Sequence, residues 1–335
     1  MHALDFTRSV EVIDCHVHVF RDDDHAREFY YYYLMRSPLM SGPMLPPAMG
    51  TLAQVQRMMQ STGVGHANHL MFTWSGTYYR DGLFTLADEP AERARGEQEL
   101  RARVVRRIRD NNEWTLRMAL ENPALSTFIY IDPVLMDEQT MLTEVEDKIG
   151  RGAKGVKTMF PDAGVLASDR RLWPLYDWCQ RREVPIQVVC AEWAPNLNRP
   201  VHSADALAAF PKLPLIFSHI GHGREFGKGT DAEFVELARK YPNVHGDLSL
   251  RLPEVAEGHI DPAALVAHLR KIGTERVLYG SNFCLNEMLH ADAGVQDSSQ
   301  ISHALKGLEA LATLPLTEDE RAAIAGRNFR RILGL

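Results

Sequence analysis

VEVIDCHVHVF, residues 10–20, sets the reading of the chain. Val10, Val12, Ile13, Val17 and Val19 are β-branched, which suits a strand better than a helix. Residues two apart in a strand share a side. His16 and His18 therefore present two imidazoles together at the C-terminal end of a first strand, and Cys15 turns away from them into the core. Such a pair chelates a divalent cation or simply hydrogen-bonds inside a barrel mouth, and the spacing alone leaves both open.

Working outward, seven more apolar runs follow: VGHANHLMF (64–72), TFIYIDP (127–133), AKGVKTMFP (153–161), VPIQVVCAE (184–192), PLIFSHIG (214–221), VHGDLSL (244–250) and RVLYGSNF (276–283). Amphipathic segments separate most of them, among them LAQVQRMMQSTG (52–63), LWPLYDWCQRRE (172–183) and DPAALVAHLRKIG (261–273). Runs without strict alternation are strands buried on both faces, which means a parallel sheet in an α/β protein. No G-x-G-x-x-G follows a strand, so the open dinucleotide-binding sheet lacks its phosphate loop. The expected architecture is one distorted (β/α)8 TIM-type barrel domain over 1–335. It carries lid-like insertions at 21–50 and 73–96, after strands one and two. The first insertion, rich in aromatics and Met, reads equally as a cover for the barrel or as a homo-oligomer contact.

Composition narrows the partners. The 37 basic and 44 acidic residues give a net charge of −7, without the clustered positive surface that nucleic acid requires. No apolar stretch approaches a membrane span. Cys15, Cys179, Cys190 and Cys284 are too scattered for a disulfide framework, and no signal-peptide pattern opens the chain, so a cytoplasmic location is expected. The expected partner is a small molecule. His66 and His69, three apart in a strand, point to opposite sides and form no chelating pair.

The stretches VIDCHVHVF, GAKGVKTMFP, PLIFSHIGH, NVHGDLS, RVLYGSNF and GRNFRRILGL resemble the amidohydrolase superfamily over nearly the whole chain. The resemblance is to the amidohydrolase-related branch that includes the aminocarboxymuconate-semialdehyde decarboxylase type. It implies a metal, commonly zinc, on the first-strand pair His16 and His18. A strand-five His and a strand-eight Asp would complete the set, and His219 matches the catalytic strand-six His. Two positions depart from that pattern. Strand five has no histidine and offers Cys190 instead, followed by Glu192 and Trp193. Strand eight carries Asn282 in place of the aspartate, and an amide takes no proton at neutral pH.

The expected metal ligands are thus His16, His18 and a Cys190 thiolate, with His219 or water fourth. Related lactonases that work without a metal make a metal-free site the alternative. His219, Asn282 and Glu192 are the expected catalytic positions, with His219 the first candidate base. Lys157, His222, Arg224 and Trp193 are the expected substrate contacts, and Lys157 is not expected to bridge two metals. The implied activity is hydrolysis of an amide, ester or lactone bond in a small carboxylated or cyclic substrate. Nonoxidative decarboxylation of a carboxylated ring is the rival, and a non-catalytic binding barrel is the third reading.

Overall fold

The computed structural model of the chain describes residues 2–35, 49–191, 197–289 and 301–335. Eight parallel strands lie side by side in sequence order: β1 (Ile13–Val17), β2 (His66–Leu70), β3 (Leu125–Tyr130), β4 (Gly155–Thr158), β5 (Ile186–Val189), β6 (Leu215–Ser218), β7 (Val244–Asp247) and β8 (Val277–Leu278). Seven fall inside the apolar runs read from the sequence, and β3 starts two residues before its run, at Leu125. The ends of the sheet meet where the Cys15 amide donates to the Tyr279 carbonyl at 3.0 Å, and a parallel bridge joins Val17 to Phe283. The result is a TIM-type barrel with helices between its strands. Among the described residues no helix is long and apolar enough to cross a membrane.

Every strand residue except His66 is buried, which is why the runs do not alternate. Ile13, Cys15, Leu70, Phe128, Ile216 and Leu278 form one cluster, closed by Phe329 and Leu333. Contacts among residues of five strands around the ring place this cluster inside the barrel, with the C-terminal helix (Asn328–Leu333) plugging it. Gly155 makes room for the Phe128 ring, since a Cβ there would come within 2.7 Å of it. Cys15 belongs to this inner layer, contrary to the strict alternation expected of strand one. A register shift between Asp14 and Val17 breaks the period, so Cys15 and His16 both face inward.

Gly63 ends the helix Leu52–Thr62 in the left-handed conformation, and Thr317 and Glu320 form the expected capping box. The second insertion is built of helix. Ser75–Leu83 is one helix, and Pro90 opens a 32-residue helix that runs to Glu121. Of the first insertion, Asp23–Met35 is helical and 36–48 lies outside the described residues.

The helix Ser75–Leu83 is held from strand four's side of the barrel. Buried Asp162 accepts from the amides of Gly76 (2.8 Å) and Thr77 (3.1 Å) and from the Thr77 hydroxyl (2.7 Å). A carboxylate at a helix N-terminus meets unsatisfied donors and the positive end of the dipole. Asp162→Ala would strand those buried donors and is expected to cost about 2–4 kcal/mol. Urea unfolding, followed by far-UV circular dichroism, measures this. A midpoint unchanged from the parent would contradict the anchoring role.

Candidate active site at the strand ends

Residues of β1 and β5 and those just past β6 and β7 converge on one carboxylate, Asp247, the last residue of β7. Its Oδ2 accepts from His16 Nδ1 (2.9 Å) and from Gln187 Nε2 of β5 (3.0 Å). Its Oδ1 accepts from the backbone amides of His219 (2.9 Å) and Ser249 (3.1 Å) and from the Ser249 hydroxyl (2.5 Å). Burial alone would raise this acid. The His16 and His219 rings, which carry charge only at the acid pH where this group would titrate, and the hydrogen bonds of His16 and Ser249 outweigh that and hold it far below the usual carboxylate range. Asp247 is therefore an ionised group with no exposure to solvent.

His16 and His219 approach this carboxylate, and His18 lies against His16. His16 and His219 stack, with ring centroids 5.1 Å apart, and His18 meets His16 edge-on at 5.1 Å. His219 follows β6 with φ +71°, and Asn282 follows β8 with φ +53°. Non-glycine residues in the left-handed region are strained, and such strain gathers at functional sites. Burial pushes all three histidines below their ordinary values, so they are neutral near pH 7.

Counting ring protons tests the fit of a cation. The His18 Nδ1 faces the Leu70 carbonyl at 3.2 Å, and a carbonyl only accepts, so Nδ1 carries the proton. The His16 Nδ1 faces the Asp247 carboxylate and carries its proton for the same reason. Both Nε2 atoms then hold lone pairs, yet they lie 3.2 Å apart. Facing lone pairs repel unless a positive charge sits between them. Two imidazole ligands on a tetrahedral zinc would be separated by about 3.3 Å, given the usual Zn–N distance. The pair fits a divalent cation.

His16, His219 and Asp247 also form a buried group whose ligand atoms lie within 4.8 Å of one another and that could hold a metal ion. Its Asp247 and His16 Nδ1 atoms are already joined by a hydrogen bond, so the lone pairs of the His16–His18 pair are the better-prepared ligands.

The other expected residues separate. Lys157 is buried within the barrel, with Nζ 3.5 Å from Ser218 Oγ. Burial pushes its amine down to about 7, against the pull of Asp247 and Cys15. Asn282 gives its amide hydrogen to Asn286 Oδ1 (2.8 Å), and its own Oδ1 is buried with no hydrogen-bond partner among the described residues. His222 is half-buried and pairs with Glu254 at 3.5 Å, and Arg224 is exposed in the loop after β6.

Cys190 stands apart from the expected ligand set. Burial pushes its thiol far above the ordinary value, so it is protonated. Its electrostatic neighbours are the Gly221 backbone, Asp231, Asp247 and Arg251, and it joins no group of three or more potential ligands among the described residues. Without a cation beside it the Cys190 thiol keeps its proton, and its place among the ligands rests on the resemblance alone. Glu192 and Trp193 lie outside the described residues.

Sequence reasoning missed Asp247, Ser249 and Gln187. The signal was present in GDLS: Asp247 and Ser249 are two apart at a strand end, the spacing that singled out His16 and His18.

The sequence profile of the family described as Amidohydrolase matches residues 13–335. No curated protein matches the chain. Similar solved structures include an uncharacterized TIM-barrel protein from Bordetella bronchiseptica, with 15% identity, TM-score 0.62 and coverage of 97% of this chain and 99% of that one. The 2,6-dihydroxybenzoate decarboxylase from Rhizobium has 12% identity and TM-score 0.61, covering 97% and 99%. The 5-carboxyvanillate decarboxylase from Sphingomonas paucimobilis has 14% identity and TM-score 0.59, also covering 97% and 99%. At these identities the structures establish a shared fold. With its profile matched from strand one to the last residue, the chain belongs to the amidohydrolase family.

Proposed function

We propose that this amidohydrolase-family enzyme hydrolyses an amide, ester or lactone bond of a small carboxylated or cyclic molecule, with His219 as its base. The observation that carries the reading is the chain His219 Nδ1–Ser249 Oγ–Asp247 Oδ1, with links of 2.7 and 2.5 Å. A neutral imidazole backed by an ionised carboxylate is the arrangement of a general base. His219 takes a proton from the attacking water and returns it to the leaving nitrogen or oxygen. Through Ser249, Asp247 stabilises the positive charge on the ring in between. The neutral amide of Asn282 leaves that task to His219. A divalent cation held by His16 and His18 would supply polarisation of the scissile carbonyl. Lys157 faces the same interior and meets a substrate carboxylate.

Nonoxidative decarboxylation is the second reading, and Lys157 favours it. An amine pushed to about 7 keeps a proton near neutrality that it could give to a ring carbon. Two of the similar structures are decarboxylases by name.

The two reactions differ in product. Purified protein, with and without added zinc, is incubated with a panel of lactones, esters and amides and with hydroxylated benzoates. Mass spectrometry then follows ring-opened acids or released amines, and trapped CO2. Hydrolysis products are expected, falling about 10²–10⁴-fold in His219→Ala. CO2 as the only product would replace the hydrolytic reading with the second. No turnover of either kind, with no zinc bound, would leave a binding barrel.

Metal analysis checks the cation independently of turnover. Zinc is expected at about one per chain, and His18→Ala is expected to lose it, because a lone His16 Nε2 has no partner ligand across the gap. Full zinc content in His18→Ala would contradict this pair as its site.

Lys157 also leaves a mark on stability. In the folded protein its pKa lies near 7, below the value of about 10.4 of an unfolded lysine. Between those values the unfolded chain binds more protons, so stability rises as pH increases from 7 towards 10. Lys157→Met should be the more stable protein at pH 7, by a few kcal/mol on the order-of-magnitude scale of such shifts, and should lose that rise. Chemical unfolding at a series of pH values gives both quantities. A parental slope retained in the variant would show that Lys157 is not its source.

A further inference from the structure

Ser249 lies between two groups of the proposed site and belongs to neither its base nor its cation ligands. Its hydroxyl has a single hydrogen. At 2.5 Å from Asp247 Oδ1, an oxygen that already accepts two backbone amides, that hydrogen must lie on the line between the two oxygens, or lone pairs would face each other. The contact between Ser249 Oγ and His219 Nδ1, at 2.7 Å, therefore has the ring as donor. The His219 Nδ1 is 3.9 Å from Asp247 Oδ1, too far for a direct bond, so the hydroxyl is the link. On the other side of the same carboxylate, Oδ2 takes the Nδ1 proton of His16 directly.

We propose that Ser249 is a positioning residue. Its hydroxyl couples His219 to Asp247 and fixes the Nδ1–H form of that ring, while the 2.9 Å bond to Asp247, much closer than the 3.5 Å contact with Ser249 Oγ, fixes the same form of His16. One Asp-Leu-Ser segment at the end of strand seven thus sets which nitrogen both imidazoles present. In each ring the Nε2 is left with the lone pair, the atom through which His16 faces His18 and through which His219 acts as base. The backbone amide of Ser249 also donates to Oδ1, so removing the hydroxyl separates its role from that of the turn itself. The chemical value of this device rests on the proposed hydrolysis, but the ring forms can be read without any substrate.

The test uses protein with ¹⁵N-labelled histidine, zinc-loaded and chelator-treated, and long-range ¹H–¹⁵N spectra that distinguish protonated from unprotonated ring nitrogens. Signals are assigned with H16A and H219A. In the parent both rings are expected as single Nδ1–H forms. S249A should turn His219 into a mixture of the two neutral forms, leave His16 unchanged and leave zinc affinity within about threefold. S249T, which keeps a hydroxyl, should restore the parental His219 signal. D247N should alter both rings and weaken zinc binding about 10–100-fold. A single Nδ1–H form of His219 in S249A, an Nε2–H form in the parent, or an unchanged His16 in D247N would each overturn the proposal. The expected spectra from a protein without hydrolytic activity would count against the proposed function and leave this inference standing.

Discussion

The ionised carboxylate of Asp247 sits at the centre of a barrel that gives it no water. Burying such a charge is costly unless hydrogen bonds and nearby charge replace its hydration. Here the donors come from the His16 ring, the Gln187 amide, the His219 backbone and both donors of Ser249. Because they belong to strands one and five and to the turns after strands six and seven, satisfying one charge ties four strands together. The histidines that could do chemistry are oriented by the same bonds that make the charge tolerable.

That arrangement explains the protonation pattern. A permanent negative charge would ordinarily favour imidazolium, and Asp247 does pull His16 and His219 upward. Burial is the larger effect on both, so they stay neutral with their Nδ1 protons facing the carboxylate, directly for His16 and through Ser249 for His219. Lys157 adds to the outcome, since a positive charge in the same interior disfavours protonation of His16, His18 and His219 alike. Neutral rings are the form that binds metals and accepts protons. An interior that excludes water and concentrates one negative charge thus prepares three bases.

Much of this was legible in the sequence, and the failures have physical causes. The eight strands could be read because strands buried on both faces must be continuously apolar, as VPIQVVC and PLIFS are. His16 and His18 could be read because a two-residue spacing survives small errors in strand ends. Cys15 could not be placed correctly, since the register shift beside it leaves no trace in residue type. Cys190 is hard to read for a related reason: it lies one residue past the end of β5, where the strand period no longer decides its side, and its neighbours include Gly221, Asp231, Asp247 and Arg251. The stretch SGTYYRDGL reads as part of a lid-like insertion because it follows strand two, and on its own it is a poor helix former. It is anchored by Asp162, 86 positions from the amide of Gly76 that it receives.

Asn282 is where sequence and structure together say more than either alone. Read alone, an amide at the end of strand eight looks like the loss of the site's carboxylate. In the folded chain the carboxylate is supplied one strand earlier, by Asp247, and it serves a different purpose. A strand-eight aspartate would meet a cation or a water directly. Asp247 already accepts bonds from the protein at both oxygens, so it acts through the imidazoles it orients. Asn282 in turn keeps its Oδ1 without a partner among the described residues, a neutral acceptor where a second buried negative charge would repel the first.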